Sequence, residues 1–191
     1  MSLARRNAFC LSRVVGLLGL LAGAISIFAS EHAQSAAPVP VWSEVKWPFL
    51  LDQWGAGRAF RCAAEQCGGE VHLYLRAKIG FCRCATGVSD DDEIERVGDV
   101  ELIGDDYKPL ASGRPVTAGM LAGRARLFLV ERPYQSRLWV LAVALANKCD
   151  AIAATIVAEP EIQTAQERAA LEFLKSDTVQ QWAQANTGLP N

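Results

Sequence analysis

The chain has 191 residues, 51% of them hydrophobic, with 19 basic and 21 acidic side chains. That balance leaves no basic stripe able to neutralise a phosphate backbone, which excludes nucleic acid as a partner and argues against anionic polymers and lipid surfaces. The length suits one domain with a real core.

Residues 1–36 read as a cleavable signal peptide. Arg5, Arg6 and Arg13 form a positive start, residues 14–29 are an apolar run, and small residues follow at Ala33, Ser35, Ala36 and Ala37. The apolar run is about 16 residues, short of the ~20 that span a bilayer, and the small-residue exit suits signal peptidase. This predicts export to a periplasmic or secreted location, with no membrane association after leader cleavage. Residues 37–191 form the single predicted domain. With the leader removed, three arginines and Glu31 are lost, leaving 16 basic against 20 acidic residues.

Residues 38–48, with Trp42 and Trp47, form an extended entry segment that packs on the domain. Residues 57–62 predict a first strand. In residues 70–78, Val71, Leu73, Leu75 and Ala77 alternate with His72, Tyr74, Arg76 and Lys78, the period of a half-buried antiparallel strand. The two strands make a hairpin across residues 63–69. Residues 89–97 read as a short helix, with Asp90 and Glu93 in capping-box spacing. Residues 99–113 are turn-rich. Residues 124–130, 137–146 and 151–158 predict three more strands. The last two are apolar on both faces, so they belong in the centre of a sheet covered on both sides. Two helices close the chain. The first follows Pro160, and the second is capped by Ser176 and stopped by Gly188. Strands early and helices late give an α+β fold: a twisted antiparallel sheet of about five strands with two C-terminal helices packed on it, stabilised by disulfides.

Five cysteines follow the leader: Cys62, Cys67, Cys82, Cys84 and Cys149. In an exported domain their first use is bridging. Cys62 and Cys67 flank a short loop and are expected to pair. Cys149 is expected to pair with either Cys82 or Cys84. Cys82 and Cys84 would face the same way on an extended segment, with Cα atoms about 6.5–7 Å apart, which disfavours a bridge between them. One thiol is left over.

The CxC of Cys82 and Cys84 supports two further readings. As thiolates they would suit a soft ion, Cu or Zn. As a strained pair they would suit thiol–disulfide exchange. The metal reading lacks a complete ligand set, since His72 is the only histidine and Met120 the only methionine after the leader, although Cys62 and Cys67 could add thiolates; the exchange reading competes with structural bridging in an oxidising compartment. No cofactor is otherwise expected. His72 shares a strand face with Arg76 and Lys78. With Arg58 and Arg61 these form a candidate anion-binding face. Residues 89–106 carry nine acids against Arg96, without the alternation of a calcium loop, and read as a capped helix with a solvated face. No phosphate loop is present. The expected function is a disulfide-stabilised binding or accessory protein of the periplasm, acting on an unidentified protein or small ligand. Soft-metal handling is the first alternative and thiol–disulfide oxidoreduction the second.

Overall fold

The computed structural model describes residues 39–80, 83–132, 137–159 and 161–187. The expected leader, residues 1–36, and Cys82 lie outside the described residues. So do Pro160 and Gly188, the expected signals beside the two last helices.

The fold is α+β, built on one antiparallel sheet. Eight strands take part: β1 (Trp42–Val45), β2 (Arg58–Cys62), β3 (Val71–Lys78), β4 (Asp106–Pro109), β5 (Arg114–Ala118), β6 (Leu121–Glu131), β7 (Leu138–Asn147) and β8 (Asp150–Ala158). The spatial order is β1-β2-β3-β8-β7-β6-β4, and β5 pairs with β6 beside β4. Four helices accompany them: α1 (Ala64–Cys67), α2 (Asp91–Val97), α3 (Thr164–Phe173) and α4 (Asp177–Thr187), with a 3₁₀ turn at Val100–Leu102.

The expectation of about five strands is too low. The additions are β1, β4 and β5, each four or five residues long. They are hard to read because all three are short outer strands: β1 and β4 bury no side chain, and β5 buries only Val116 and Ala118 beside its proline. Besides the two C-terminal helices, the short helix expected over residues 89–97 is present as α2, on the opposite side of the sheet from α3 and α4. The unanticipated helix among the described residues is α1, a single turn within the expected hairpin loop of residues 63–69.

The alternation in β3 sorts its side chains between two cores. Val71, Leu73 and Leu75 join Leu141, Val143 and Leu145 of β7 and Ile152, Ala154 and Ile156 of β8, beneath Ala170 of α3, Leu174 just after it, and Val179 and Ala183 of α4. On the other face Val140, Ala142, Ala151 and Val157 meet Ile94, Val97 and Val100. β7 and β8 are therefore central and covered on both sides, as apolar strands must be. Each large aliphatic side chain buried here stabilises the fold by about 1.5–3 kcal/mol.

The caps follow their side chains closely. The Asp90 carboxylate accepts the Glu93 N–H at 2.8 Å. In α3 the Gln163 N–H donates to Gln166 Oε1 at 2.7 Å. Ser176 precedes α4 and its carbonyl accepts from Val179 and Gln180, but its buried hydroxyl has no partner. The start of α4 thus rests on backbone rather than on the serine hydroxyl.

Candidate functional site

The polar face of β3 does not remain exposed. Arg76 and Lys78 are each 2% exposed. Three features bury them. Asp99 follows the end of α2 at φ 55, a left-handed geometry that turns the chain back towards the sheet. Its carboxylate accepts from Arg76 Nε and Nη2, both at 2.9 Å, and lies 2.5 Å from Lys78 Nζ. The entry segment then closes over the pair. Asp52 takes the remaining Arg76 donor, Nη1, at 2.7 and 2.8 Å, while the Trp47 ring lies 5.8 Å from the guanidinium and the Trp54 ring 5.0 Å from the ammonium. Gly57 makes room for this cover, since a Cβ there would fall 2.7 Å from the Trp47 ring and 1.9 Å from the Leu75 carbonyl.

Burial alone would lower the Arg76 pKa, but Asp99 and Asp52 outweigh it and hold the group charged. Burial likewise pushes the Asp52 carboxyl up, and the Trp54 N–H and Arg76 overcome it, leaving Asp52 below its ordinary value. The four charges cancel within the cluster. This arrangement clamps α2 and the entry segment onto β3, and every Arg76 donor group is committed.

The other members of the sequence-derived anion face are elsewhere. Arg58 lies on the opposite face, towards α4, donating to Glu44 at 2.9 and 2.5 Å and to the Thr178 carbonyl at 3.3 Å. Arg61 and His72 both meet Glu70, His72 at 2.9 Å. The five residues therefore fall into three separate places, each with its own carboxylate.

The acidic segment also departs from a solvated face. Glu93 is 2% exposed, held by Arg83 and Arg96. Asp91 accepts from Arg124 Nε at 2.6 Å and from the Gly113 N–H. These contacts, Arg124 foremost, hold the Asp91 carboxyl below its usual value.

The two bridges join Cys62 to Cys67 and Cys84 to Cys149. They occupy contrasting surroundings. Cys62 and Cys67 sit in the core at 0% and 4% exposure. Cys84 is exposed and Cys149 half-buried. The second bridge ties the connection between β3 and α2 to the two-residue turn between β7 and β8. Cys84 also lines a cleft of about 550 Å³, whose walls are the loop 84–89, the first residues of β6, the end of β7 and Lys148.

This cleft has a distinctive charge. Arg124 and Lys148 line it, with the hydroxyl residues Thr86 and Ser89, and no carboxylate is among its described lining residues, although Asp91 meets Arg124 from outside the lining. A second cleft, about 280 Å³ between β5 and α3, is mixed. There Arg114 pairs with Glu167, and Lys175 with Glu172. Arg124 is held rigidly, donating to Asp91, to the Ser89 carbonyl and to the Gly113 carbonyl.

Among the described residues, no group of three or more His, Cys, Asp or Glu is placed to hold a metal ion. The CxC metal reading involves Cys82, outside the described residues, and Cys84, whose sulfur is bonded to Cys149. A soft ion would require that bond to be reduced first. Sequence reasoning passed over Arg124, Lys148, Thr86 and Ser89 as site residues. They belong to three segments distant in the chain, and no local spacing relates them. No protein-family model matches this chain, and no curated protein matches it.

Proposed function

We propose that this is an exported, disulfide-stabilised binding protein of the periplasm that takes a small anionic ligand in the cleft beside Cys84 and Cys149. The observation that carries this reading is the lining of that cleft, where Lys148 and the Asp91-paired Arg124 stand beside the Thr86 and Ser89 hydroxyls and the described lining holds no carboxylate, in a chain with more acids than bases. Its volume falls in the range of small-molecule sites, about 300–1,000 Å³. Hydroxyls from Thr86 and Ser89 supply neutral donors beside the charges. The leader supports export, and the two bridges suit an oxidising compartment.

A thermal-shift panel at low salt tests the reading, with acetate, citrate and phosphate as probes and glucose as the neutral control. Ligand binding raises the melting temperature by mass action. At least one polyanion should raise that of the wild type, and the rise should be lost in Lys148→Glu measured against its own baseline. The reading fails if no anion shifts the wild type, or if both proteins shift equally.

A further inference from the structure

We infer that Cys84–Cys149 is a thiol-exchange site, opened at Cys84 by a small anionic thiol seated in the cleft. The thiol's charge rests on the function proposed above. The exchange itself stands on the disulfide and its surroundings.

Access distinguishes the two bridges. Cys62 and Cys67 are sealed in the core, where a thiolate cannot arrive without unfolding. Cys84 is exposed and lines the cleft, whereas Cys149 is half-buried and is not part of the lining. Cys84 is therefore the more exposed half of the bridge and the half that lines the cleft. Arg124 and Lys148 beside it raise the local concentration of an anionic thiol and favour its thiolate form.

The step balances. The incoming thiolate attacks Cys84 Sγ, a new sulfur–sulfur bond forms, and the bond to Cys149 breaks. The electron pair leaves on Cys149 Sγ, which takes a proton from water. The incoming sulfur is oxidised to a mixed disulfide and Cys149 is reduced to a thiol. A second thiolate attacking the incoming sulfur releases the symmetrical disulfide and leaves both cysteines as thiols.

Opening this bond does not require losing the loop. Arg83 Nε is 2.8 Å from the buried Glu93. Val88 is 3% exposed within the α2-side core. The Gly80 N–H donates to Asp150 at 2.7 Å, a second tie between the same two segments. The segment is thus held on either side of Cys84 by contacts independent of the bridge.

The test uses the full mature domain under native conditions. Free thiols are blocked first with N-ethylmaleimide, glutathione is added, and newly released thiols are alkylated with iodoacetamide and located by peptide mass spectrometry. A Cys82→Ser chain run in parallel separates true protection from crowding by a blocked thiol. The expected result is glutathione on Cys84, alkyl label on Cys149, and at least ~10-fold less release from Cys62 and Cys67, following the difference in access. The inference is overturned if the buried bridge opens as readily, if neither opens without denaturant, or if glutathione resides on Cys149.

A second arm compares glutathione with the neutral 2-mercaptoethanol in wild type and Lys148→Glu. A glutathione-to-mercaptoethanol rate ratio that falls in the variant supports an anionic thiol at this site. An unchanged ratio with Cys84 still opening sinks the anion reading of the cleft and leaves the exchange site standing.

Discussion

Arg76 and Lys78 carry positive charge where the sheet is dry, and Asp99 is what makes this tolerable. Removing an ion from water costs several kcal/mol even after the protein relaxes. Asp99 offsets that for both cations at once, because its left-handed backbone places one carboxylate against the two side chains of a single strand face. Asp99→Asn keeps the shape and removes the charge. It should lower stability by about 3–5 kcal/mol, the usual cost of leaving a buried charge unpaired, read from urea denaturation at neutral pH. Asp52 has a side chain 44% exposed, so water can replace much of what it does, and Asp52→Asn should lose clearly less. Equal losses from the two variants would mean that the buried pair does not dominate the cluster. The β3 alternation identified which residues share a face, but not that the polar face is covered. The cover comes from residues 47–54 and from Asp99, and neither its aromatic ring packing nor the left-handed turn has a local sequence signature.

At the level of elements, the two bridges hold the chain over very different spans. Cys62 and Cys67 are 5 residues apart and Cys84 and Cys149 are 65 apart. In the chain-entropy account the first restricts the unfolded state by about 2 kcal/mol and the second by about 4. Replacing Cys84 and Cys149 together by serine should therefore cost more in solution than a small, exposed linkage suggests. Equilibrium unfolding of that pair beside the Cys62→Ala, Cys67→Ala pair checks this, with the cavity left by the buried pair opposing the trend. A smaller loss at Cys84 and Cys149 would mean that other contacts already restrict the unfolded chain. The long elements were legible beforehand. β7 and β8 are continuous apolar runs, β3 alternates, and Asp90 announces α2. The short ones were not. β4 reads Asp-Tyr-Lys-Pro and β5 Arg-Pro-Val-Thr-Ala, and a proline inside four or five residues outweighs the faint apolar pattern around it.

Across the whole molecule, opposite charges are distributed as pairs, and this fixes the shape of the pH response. Glu44, Glu70 and Asp91 are held below their ordinary values chiefly by Arg58, Arg61 and Arg124 respectively, and Asp52 by contacts that outweigh its burial. A carboxyl with a lowered folded pKa contributes stability that is complete above its ordinary value, 4.5 for Glu and 3.8 for Asp, and is lost as pH falls through the folded value. The contribution of these groups should be flat from about pH 7 to 5.5 and decline as pH falls below about 5, the glutamates first and the aspartates after them. Asp91→Asn provides the check. Its stability deficit against wild type should be constant near neutrality and close in acid, measured as urea midpoints down to about pH 3. A deficit that persists there would show that charge on Asp91 is not what Arg124 responds to.

The split along the outer side of β6 has a consequence for how the molecule behaves in company. β6 is 11 residues long, long enough to offer a continuous ladder to another chain. Instead β4 covers its end at Phe128–Glu131 and β5 its beginning at Leu121–Ala125. Between them the Leu110 N–H donates to the Leu127 carbonyl, and the Gly113 N–H donates to Asp91 instead of to β6. Each covering strand contains a proline, which cannot donate a ladder hydrogen bond. The far side of the sheet ends in the four residues of β1, between Pro40 and Pro48. Among the described residues, the strands along the borders of the sheet are thus four or five residues long. Strand-to-strand stacking into fibrils needs a longer border to begin, and these short strands withhold it on both flanks.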